Sequence, residues 1–474
     1  MLSQYIAQQI ASHVGFSPTP DQQQLVEQLA DFLTDPQGGE AIFVLNGYAG
    51  TGKTTMVAAL VKALREAAQP VVLLAPTGRA AKVMASYAGH AAYTIHKKIY
   101  RQANVSDGVG TFALGYNALT NALFVVDEAS MIANSAEGQA VFGSGRLLDD
   151  LVKYVRSGKG CRLMLVGDSA QLPPVGLPLS PALNPDGLTR YGASRHVFLR
   201  EVVRQAEASG ILHNATRLRA HLEAEAPGLP QLQMGFPDVQ RLSGEDILEA
   251  LAAAYDRWGV ENVAVITRSN RQANRYNAGI RASIFGREEE LVAGERLMVV
   301  KNSYAWIAPG SALSQEVEFI ANGDTVVLQR LRKHREMYGL RFADATVALP
   351  DYGHAELDCR LLLDTLTTES ASLSAEAGKA FFAQVHLDYA HVTPPAKRYA
   401  DIRADPYFSA LQVKHAYAVT CHKAQGGQWK AVFVDHGYLP PDTANPDLLR
   451  WLYTAFTRAT DQLFLVNFDK RFFG

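Results

Sequence analysis

A glycine-rich segment at residues 47–55, GYAGTGKTT, combines the residue types that bind phosphate groups. It matches the spacing G-x-x-x-x-G-K-[ST] and lies between a predicted buried strand and a predicted helix, the context that such a loop requires. Glycines let backbone N–H groups surround an anion, Lys53 can reach the β- and γ-phosphates, and the Thr54 hydroxyl can ligate Mg²⁺. The segment therefore predicts a site for ATP and Mg²⁺. Its predicted binding residues are Gly47, Ala49, Gly50, Thr51, Gly52, Lys53, Thr54 and Thr55.

Two adjacent carboxylates, Asp127 and Glu128, follow another apolar run in the segment VVDEASM. A carboxylate at the end of such a strand is where Mg²⁺ is held, so we expect Asp127 to ligate the metal together with Thr54. The neighbouring Glu128 can polarise the attacking water. An isolated pair of this kind also occurs as an ordinary charged strand end, and the phosphate loop is what favours the catalytic interpretation.

A neutral amide follows the next apolar run, in the loop GDSAQLPPVG at residues 167–176. There Gln171 can sense the γ-phosphate or the attacking water without competing for Mg²⁺. Taken alone, the loop could equally be a proline-rich turn.

Short apolar runs in the first half of the chain predict buried strands that position these residues. The runs are residues 41–45, 71–75, 123–128, 162–168 and 197–199. Between the first two, residues 53–67 carry apolar side chains at helical spacing, which predicts a helix with one face packed on the sheet. This alternation is typical of an α/β fold with a parallel sheet.

A second α/β set has apolar runs at 263–268, 431–436 and 463–468, and a long stretch richer in polar and turn residues interrupts it. The second domain is therefore predicted to be split in sequence. The predicted division is a first domain at 1–197 with a small insertion at about 93–121, a second domain at 198–290 and 409–474, and an accessory insertion with β content at 291–408.

The bulk composition limits the classes of protein that fit. The chain has 474 residues, 48% apolar and 19% charged, which suits a globular enzyme of two large domains. Its 45 Lys and Arg against 47 Asp and Glu leave a net charge of −2, so nucleic-acid binding must be local, in a groove. Three widely separated cysteines argue against a disulfide framework or a zinc site. Without a signal-peptide pattern or an apolar run of about 18 residues, we expect a cytoplasmic chain with no membrane partner.

Further motifs, in order along nearly the whole chain, resemble those of the superfamily 1 DNA helicases, and within them the RecD-like and phage Dda-like group of the 5′ to 3′ branch. They are PTPDQQQLVEQL at 18–29, APTGRAAKVM at 75–84, TIH at 94–96, FLREVVRQAEASGI at 198–211, AYAVTCHKAQGGQW at 416–429 and LYTAFTRATDQLFLV at 452–466. Their order is far more specific than any one of them. The resemblance implies two RecA-like P-loop NTPase motor domains, a pin in the 93–121 insertion and an SH3-like, β-rich insertion at 291–408, where the match fades after NGDTVVL.

The resemblance also implies roles for single residues. It places Gln22 against adenine and Gln428 on the ribose, and it makes Arg204 and Arg458 the arginines that reach the γ-phosphate. Gln425 becomes a sensor between nucleotide and DNA. A surface position is the alternative for either arginine, and a plain helix start is the alternative for the segment of Gln22.

The implied strand-binding residues are small, hydroxyl-bearing or aromatic rather than a basic run. They are Pro76, Thr77, Thr94, His96, Thr267, Asn270, Thr420 and His422. Phosphate donors and stacking surfaces make contacts that accept any base, so binding is expected to be sequence-blind. Each of these residues could instead cap a turn.

Four aromatic residues are candidates for further DNA contacts. Phe112 and Tyr116 lie in the pin insertion, where the family places the wedge that splits the duplex, with core packing as the alternative. Trp306 and Trp429 are candidate stacking platforms, although most tryptophans pack in cores or between domains.

The implied activity is ATP-dependent movement along single-stranded DNA, 5′ to 3′, coupled to unwinding of tailed duplex DNA. The group implies a monomer, with a single-stranded-DNA-binding protein or a replication or repair protein as its partner. Two alternatives stay open: a 3′ to 5′ or RNA helicase of the same superfamily, and a nucleotide-switched DNA-binding module without unwinding. Because a switch could dispense with Glu128 or Arg458, their presence beside Lys53, Asp127 and Gln171 favours hydrolysis.

Overall fold

The computed structural model of the chain describes residues 2–35, 41–102, 112–135, 143–202, 209–224, 228–308, 310–311, 313, 319–440 and 445–473. It confirms the predicted α/β class, with two RecA-like domains built on parallel sheets and a closed β-barrel inserted into the second. Within those described ranges, no helix is both long and apolar enough to cross a lipid bilayer.

The first domain contains a parallel sheet and a small antiparallel hairpin. The strands are β1 (Ile42–Gly47), β2 (Val71–Ala75), β3 (Ala92–Thr94), β4 (Tyr100–Gln102), β5 (Phe112–Leu114), β6 (Leu123–Val126), β7 (Arg162–Gly167) and β8 (Ser194–Leu199). The sheet has the order β3-β2-β6-β7-β1-β8, while β4 and β5 pair with each other. The edge strand β3 was not predicted, because three residues carry too short an apolar signal.

Helices cover both faces of this sheet. They are α1 (Leu2–Ser12), α2 (Pro20–Thr34), α3 (Lys53–Glu66), α4 (Gly78–Ala88), α5 (Ile95–Ile99), α6 (Leu147–Ser157) and α7 (Pro185–Leu188). The predicted apolar face of α3 is buried against the sheet, including Met56, Leu60 and Leu64. This packing fixes the first turn of α3, which carries Lys53, next to the end of β1.

The second domain begins with a helix and alternates as predicted. Its first elements are α8 (Gly210–Glu223), β9 (Val239–Leu242), α9 (Ile247–Trp258), β10 (Val263–Thr267) and α10 (Asn270–Gly279). The chain then leaves this domain for the barrel.

The accessory insertion is a closed five-stranded barrel with two helices attached. Its elements are β11 (Arg296–Val299), β12 (Thr325–Met337), β13 (Leu340–Leu349), β14 (Ala355–Leu362), α11 (Ala375–Asp388), α12 (Pro395–Ala404) and β15 (Leu411–His415). The strands close in the order β11-β12-β13-β14-β15, around fully buried side chains such as Leu297, Val347 and Leu361. The β-rich insertion predicted from the sequence is thus a barrel.

The remaining elements complete the second domain. They are β16 (Ala418–Thr420), α13 (Cys421–Ala424), β17 (Trp429–Asp435), α14 (Pro446–Phe456) and β18 (Ala459–Val466). Its parallel sheet has the order β16-β10-β17-β18-β9. Eight of the 11 residues of α14 are buried, because this helix lies between its own sheet and the first domain.

Two strands, β8 and β15, do not fit the domain boundaries that the sequence predicts. β8 ends at Leu199, beyond the predicted end of the first domain at 197. β15 lies in the segment 409–474 that was predicted to belong to the second domain, yet it pairs with β11 and β14 and closes the barrel. A barrel loses its free edge only when the last strand pairs on both sides, and the short run LQVKH does not reveal this requirement.

A buried carboxylate, Glu295, joins the barrel to the second sheet. It has no exposed surface, and its oxygens lie 2.8 Å from Arg281 Nε, 2.9 Å from the Tyr417 hydroxyl and 3.4 Å from His415 Nδ1. Burial alone would raise the pKa of Glu295, but the contacts with His415 and Arg281 outweigh burial and lower the pKa to about 2. Glu295 therefore stays ionised within the cluster.

Replacing Glu295 with Gln should lower the free energy of unfolding by about 3 kcal/mol, because Arg281 would keep a buried charge without its counter-ion. Since the folded-state pKa is depressed, this stabilisation is present above about pH 4.5 and is lost as the pH falls towards about 2. Urea unfolding of both proteins at pH 7 and pH 4 measures the difference. Glu356→Gln, which removes an exposed pair with Arg330 at 3.1 Å, is the control and should cost less than about 1 kcal/mol. Equal losses at the two positions, or a Glu295 effect that does not shrink in acid, would contradict this assignment.

Candidate functional site

The phosphate loop joins β1 to α3 and wraps around the side chain of Lys53. Gly50 and Gly52 have φ angles of 77° and 83°, in the left-handed region that glycine adopts without steric cost. The Lys53 ammonium donates to the carbonyl oxygens of Gly47 and Tyr48, at 2.5 and 2.8 Å. The loop is therefore folded for anion binding, with its cation held by backbone carbonyls.

The two predicted carboxylates follow β6 and line the cleft beside the phosphate loop. The Asp127 carboxylate accepts the Tyr87 hydroxyl on Oδ2 at 2.6 Å and the backbone N–H of Glu128 on Oδ1 at 2.8 Å. Glu128 has a φ angle of 53°, which is uncommon for a residue other than glycine. Backbone strain of this kind concentrates at functional sites, and here it turns adjacent carboxylates into one cleft.

Arg458 reaches the same cleft from the second domain, just after α14. Its Nη1 lies 3.6 Å from Glu128 Oε1, and the guanidinium donates to the carbonyl oxygens of Thr454 and Gly427 at 3.2 Å. Burial raises the pKa of Glu128, an effect that the charge of Arg458 opposes and that of Asp127 reinforces. A carboxylate whose pKa is raised is a stronger base than an ordinary glutamate.

A third carboxylate, Asp168, completes the cleft and was missing from the predicted site. It follows β7, is almost fully buried, and has its Oδ2 4.0 Å from Lys53 Nζ. The Tyr453 hydroxyl of α14 donates to Asp168 at 2.6 Å and accepts the backbone N–H of Ala49, in the phosphate loop, at 2.8 Å. The strand-end position that identified Asp127 also applies to Asp168, whereas the role of Tyr453 has no local signal in the sequence.

The two predicted sensor glutamines lie in different places, Gln171 in the cleft and Gln425 in the second domain. Gln171 lines the cleft, and its buried Oε1 has no hydrogen-bond partner in the part of the chain that the structure describes. Buried amides are normally satisfied, so this oxygen is placed to accept a hydrogen bond from a ligand. Gln425 donates to the carbonyl oxygen of Leu172 at 2.6 Å, which connects the second domain to the loop that carries Gln171.

Other predicted nucleotide contacts do not all reach the cleft. Gln22 has no exposed surface, because its amide closes the N-terminal cap of α2 and donates to the carbonyl oxygen of Thr51 at 3.0 Å. Both ends of the amide are thus hydrogen-bonded inside the protein, and the contact of Gln22 with adenine stays a prediction. Phe16, which the motifs do not single out, lines the cleft nearby. Gln428 is exposed at the cleft, and Arg204 lies outside the described residues.

The cleft has a volume of about 810 Å³ and is lined by both RecA-like domains. Its candidate metal ligands are oxygen atoms, from the exposed hydroxyl of Thr54 and the carboxylate of Asp127, and oxygen donors are what Mg²⁺ prefers. Lys53 and Arg458 supply positive charge on opposite sides for a polyphosphate. These residues fit a nucleoside triphosphate with its Mg²⁺.

A second groove, of about 300 Å³, lies between the two RecA-like domains and the barrel. It brings together five of the residues predicted to bind single-stranded DNA, which are Pro76, Thr77, Thr94, His96 and His422. Asn322 of the barrel and Lys423 of α13 add polar lining that the motifs did not indicate, and the Lys423 ammonium donates to Asn322. Burial lowers the pKa of His96 to about 4, so its ring is neutral at pH 7 and can act by hydrogen bonding or stacking.

Capping is also a role of two of these residues. The Thr77 and Thr94 hydroxyls each accept a backbone N–H at 3.2 Å, from Ala80 and Lys97 respectively, and so begin α4 and α5. The capping alternative therefore holds for both residues, which also line the groove, and their contact with DNA stays a prediction.

The remaining predicted DNA-binding residues lie outside the second groove. Thr267 is fully buried, and its hydroxyl donates to the carbonyl oxygen of Ser269 at 3.1 Å. The hydroxyl thus serves the turn between β10 and α10, and a DNA contact of Thr267 stays a prediction without support from its position. Asn270 and Thr420 line a separate small cavity of about 20 Å³, next to Lys423.

The pin residues have different surroundings. Phe112 is buried against Tyr304 and Phe319 of the accessory insertion, with ring centroids 4.9 and 6.4 Å apart. Tyr116 is 82% exposed. Core packing, the alternative named for both, therefore holds for Phe112, and Tyr116 stays the accessible candidate for a wedge.

Of the two candidate tryptophans, Trp306 is partly buried and Trp429 is buried. The Trp306 indole N–H donates to the carbonyl oxygen of Ser409 at 2.8 Å within the barrel. Trp429 is buried, and the Arg79 guanidinium of α4 lies 3.8 Å from its ring centroid. This cation–π contact joins the first domain to the second.

Two segments of the chain, one from each side of the cleft, match known protein families. Residues 18–229 match a family model described as an AAA domain, and residues 415–466 match one described as a UvrD-like helicase C-terminal domain. An ATP-dependent RecD2 DNA helicase of Deinococcus radiodurans is 32% identical over 221 residues, which cover 46% of this chain and 26% of that protein. By sequence, the chain is thus similar to an AAA domain in its first half, to a UvrD-like helicase C-terminal domain near its end, and to a RecD2 DNA helicase over 46% of its length. The matched segments contain the phosphate loop, both carboxylates after β6, and Arg458.

Further relatives extend this comparison along the chain. An uncharacterised protein of Methanocaldococcus jannaschii is 23% identical over 460 residues, which cover 89% of this chain and 36% of that protein. The chain thus spans only about a quarter to a third of the length of these two relatives. Among solved structures, a Pif1 helicase from Bacteroides is 15% identical with a TM-score of 0.44, covering 97% of this chain and 94% of that one. A Pif1 helicase from Candida albicans is 16% identical with a TM-score of 0.37, covering 96% of each chain.

Replacing Tyr453 with Phe should lower the thermal unfolding midpoint by several degrees. The change removes the hydroxyl that accepts the buried Ala49 N–H and donates to Asp168 Oδ2, and leaving such buried atoms unsatisfied typically costs about 1–3 kcal/mol. Differential scanning fluorimetry without nucleotide measures the shift. Tyr116→Phe, which removes an 82% exposed hydroxyl, is the control and should leave the midpoint unchanged. A shift no larger than that of the control would mean that the Tyr453 hydroxyl does not hold the domains together.

Proposed function

We propose that this chain is an ATP-driven DNA motor that hydrolyses ATP with Mg²⁺ in the interdomain cleft and moves 5′ to 3′ along single-stranded DNA, unwinding tailed duplexes. The observation that carries the proposal is the approach of Arg458, from the second domain, to within 3.6 Å of Glu128 in the first. A site that both domains must complete links hydrolysis to domain movement.

In the proposed reaction, Lys53 holds the β- and γ-phosphates. The Asp127 carboxylate and the Thr54 hydroxyl would hold the Mg²⁺ ion. Bound Mg²⁺ neutralises charge on the transferred phosphoryl group. Glu128 accepts the proton of the attacking water, which its raised pKa favours, and Gln171 orients that water through its unpaired Oε1. Arg458 stabilises the negative charge that develops in the transition state, as a planar, permanently charged group can.

Coupling to DNA follows from the position of the second groove. Thr77 and His96 belong to the first domain and His422 to the second, so a change in the angle between the domains changes the spacing of the groove lining. Gln425 lines the same groove and donates to Leu172 in the loop beside the nucleotide cleft. We propose that these contacts bind the strand differently in the two nucleotide states, which any directed movement requires.

The same proposal extends to organisation and partners. One chain supplies both sides of the cleft and of the groove, so a monomer suffices for the motor. We propose first-domain bounds that follow β8 and barrel bounds that include β15. A cytoplasmic location, and cooperation with a single-stranded-DNA-binding protein or a replication or repair protein, follow from a motor that acts on DNA.

ATP hydrolysis should rise strongly when single-stranded DNA is added, because strand binding favours the closed cleft. Lys53→Ala and Glu128→Gln should each lower this hydrolysis by about a hundredfold or more, and Glu128→Gln should still bind ATP with Mg²⁺. Phosphate release with and without oligonucleotide measures both effects. Lys62→Ala on the exposed side of α3 and Glu249→Gln on the surface of α9 are matched controls that should keep full activity. A rate of ATP hydrolysis that does not change when nucleic acid is added would contradict the proposed motor function and favour a nucleotide-controlled binding module.

Direction and substrate can be read from tailed duplexes. Unwinding should require ATP and a 5′ single-stranded DNA tail, and blunt or 3′-tailed duplexes should stay intact. Fluorescence strand separation with DNA and RNA tails of equal length measures this, and Glu128→Gln is the inactive control. Unwinding from the 3′ tail, or a preference for the RNA tail, would replace the proposal by one of the two related helicase types.

A further inference from the structure

A hydrogen bond in the cleft links the proposed metal ligand to a helix of the first domain. The Tyr87 hydroxyl, on the last turn of α4, donates to Asp127 Oδ2 at 2.6 Å. Tyr87 itself lines the nucleotide cleft. We propose that Tyr87 is a positioning residue for the metal site, which holds the Asp127 carboxylate in the orientation that receives nucleotide-bound Mg²⁺. This inference rests on the proposed function of the cleft.

The two oxygens of Asp127 are held from different sides. Tyr87 binds Oδ2, and the backbone N–H of Glu128 binds Oδ1 at 2.8 Å. Rotation of the carboxylate about its Cβ–Cγ bond would break both hydrogen bonds, so the plane of the group is fixed. Each carboxylate oxygen accepts more than one contact, which leaves capacity for a metal ion or its bound water. Partners of this kind orient metal-ligating groups and are commonly worth a factor of 10 to 100 in metal affinity.

The helix that carries Tyr87 is itself fixed by contacts with the rest of the chain. Near its start, Arg79 stacks on Trp429 of the second domain at 3.8 Å. In its second turn, Lys82 pairs with Asp351 of the barrel at 2.8 Å. The position of the Tyr87 hydroxyl therefore depends on both neighbours of the first domain, and not on α4 alone.

The second domain contains an equivalent hydrogen bond away from the cleft. There the Tyr276 hydroxyl of α10 donates to Asp435 Oδ2, at the end of β17, at 2.5 Å. β10, which precedes α10, lies next to β17, just as β2, which precedes α4, lies next to β6. Neither Tyr276 nor Asp435 lines the nucleotide cleft. A tyrosine–aspartate bond at this place in the fold can thus be structural alone, and Tyr276 is a matched control for that possibility.

The test separates metal binding from nucleotide binding and from stability. The full chain and its Tyr87→Phe, Tyr276→Phe and Lys53→Ala variants are titrated with a fluorescent ADP analogue over a series of Mg²⁺ concentrations, including none. Tyr87→Phe should raise the Mg²⁺ concentration for half-maximal strengthening of binding about tenfold. Its Kd for the metal-free analogue should stay within about twofold of wild type, because the phosphate loop is unchanged. Tyr276→Phe should match wild type in both, with a similar shift in thermal midpoint to that of Tyr87→Phe.

Different results overturn different statements. An unchanged Mg²⁺ dependence in Tyr87→Phe, or an equal loss of metal-free and metal-dependent binding, would overturn the role of Tyr87 while leaving the motor in place. The same change in Mg²⁺ dependence in Tyr276→Phe would also overturn it, because the effect would then arise from fold stability. Wild-type binding that neither requires Lys53 nor responds to Mg²⁺ would overturn the proposed function of the cleft, and the role of Tyr87 with it.

Discussion

In the cleft, the second domain places a tyrosine and an arginine into the phosphate site of the first. Tyr453 accepts the backbone N–H of Ala49 and donates to Asp168, while Arg458 lies beside Glu128. These groups are buried, and a buried polar group without a partner costs about 1–3 kcal/mol. The site therefore exists in this form only while α14 stays seated on the phosphate loop. The packing of α14 against the phosphate loop is therefore the constraint on which the arrangement of the candidate catalytic groups depends.

Charge balance in the cleft follows from that seating. Three carboxylates, Asp127, Glu128 and Asp168, lie close to two cations, Lys53 and Arg458. These carboxylates and several backbone carbonyl oxygens contact the two cations. A polyphosphate with its Mg²⁺ would exchange several of these contacts for stronger, charge-assisted ones. An exchange of this kind gives the two domains a different interaction energy in each nucleotide state, which is what the proposed motor needs.

α4 connects this chemistry to the rest of the molecule. Its N-terminal cap, Thr77, lines the second groove, and Arg79 contacts the second domain. Further along the helix, Lys82 contacts the barrel and Tyr87 donates to the Asp127 carboxylate. A rigid helix of 11 residues thus spans the distance from the groove to the candidate metal site. Physical contact along one rigid element is a direct way for two sites to influence each other, provided that the element has two positions. The closed barrel supplies a second fixed neighbour for α4, since it has no free edge through which to deform.

The sequence alone determined the features that depend on local spacing. The phosphate loop, the carboxylates after β6, the buried face of α3 and the α/β class are all written in short segments, because glycine content, strand ends and helical periodicity act over a few residues. The family resemblance placed Arg458 at the cleft, where the structure also has it. Only the tertiary structure decided the rest. Residues far apart in sequence meet as Tyr453 with Asp168 and as Tyr87 with Asp127, and the amide of Gln22 is satisfied within the protein. β15 closes the barrel and Glu295 joins it to the second sheet, because pairing and burial depend on which surfaces the fold brings together, which no single segment encodes.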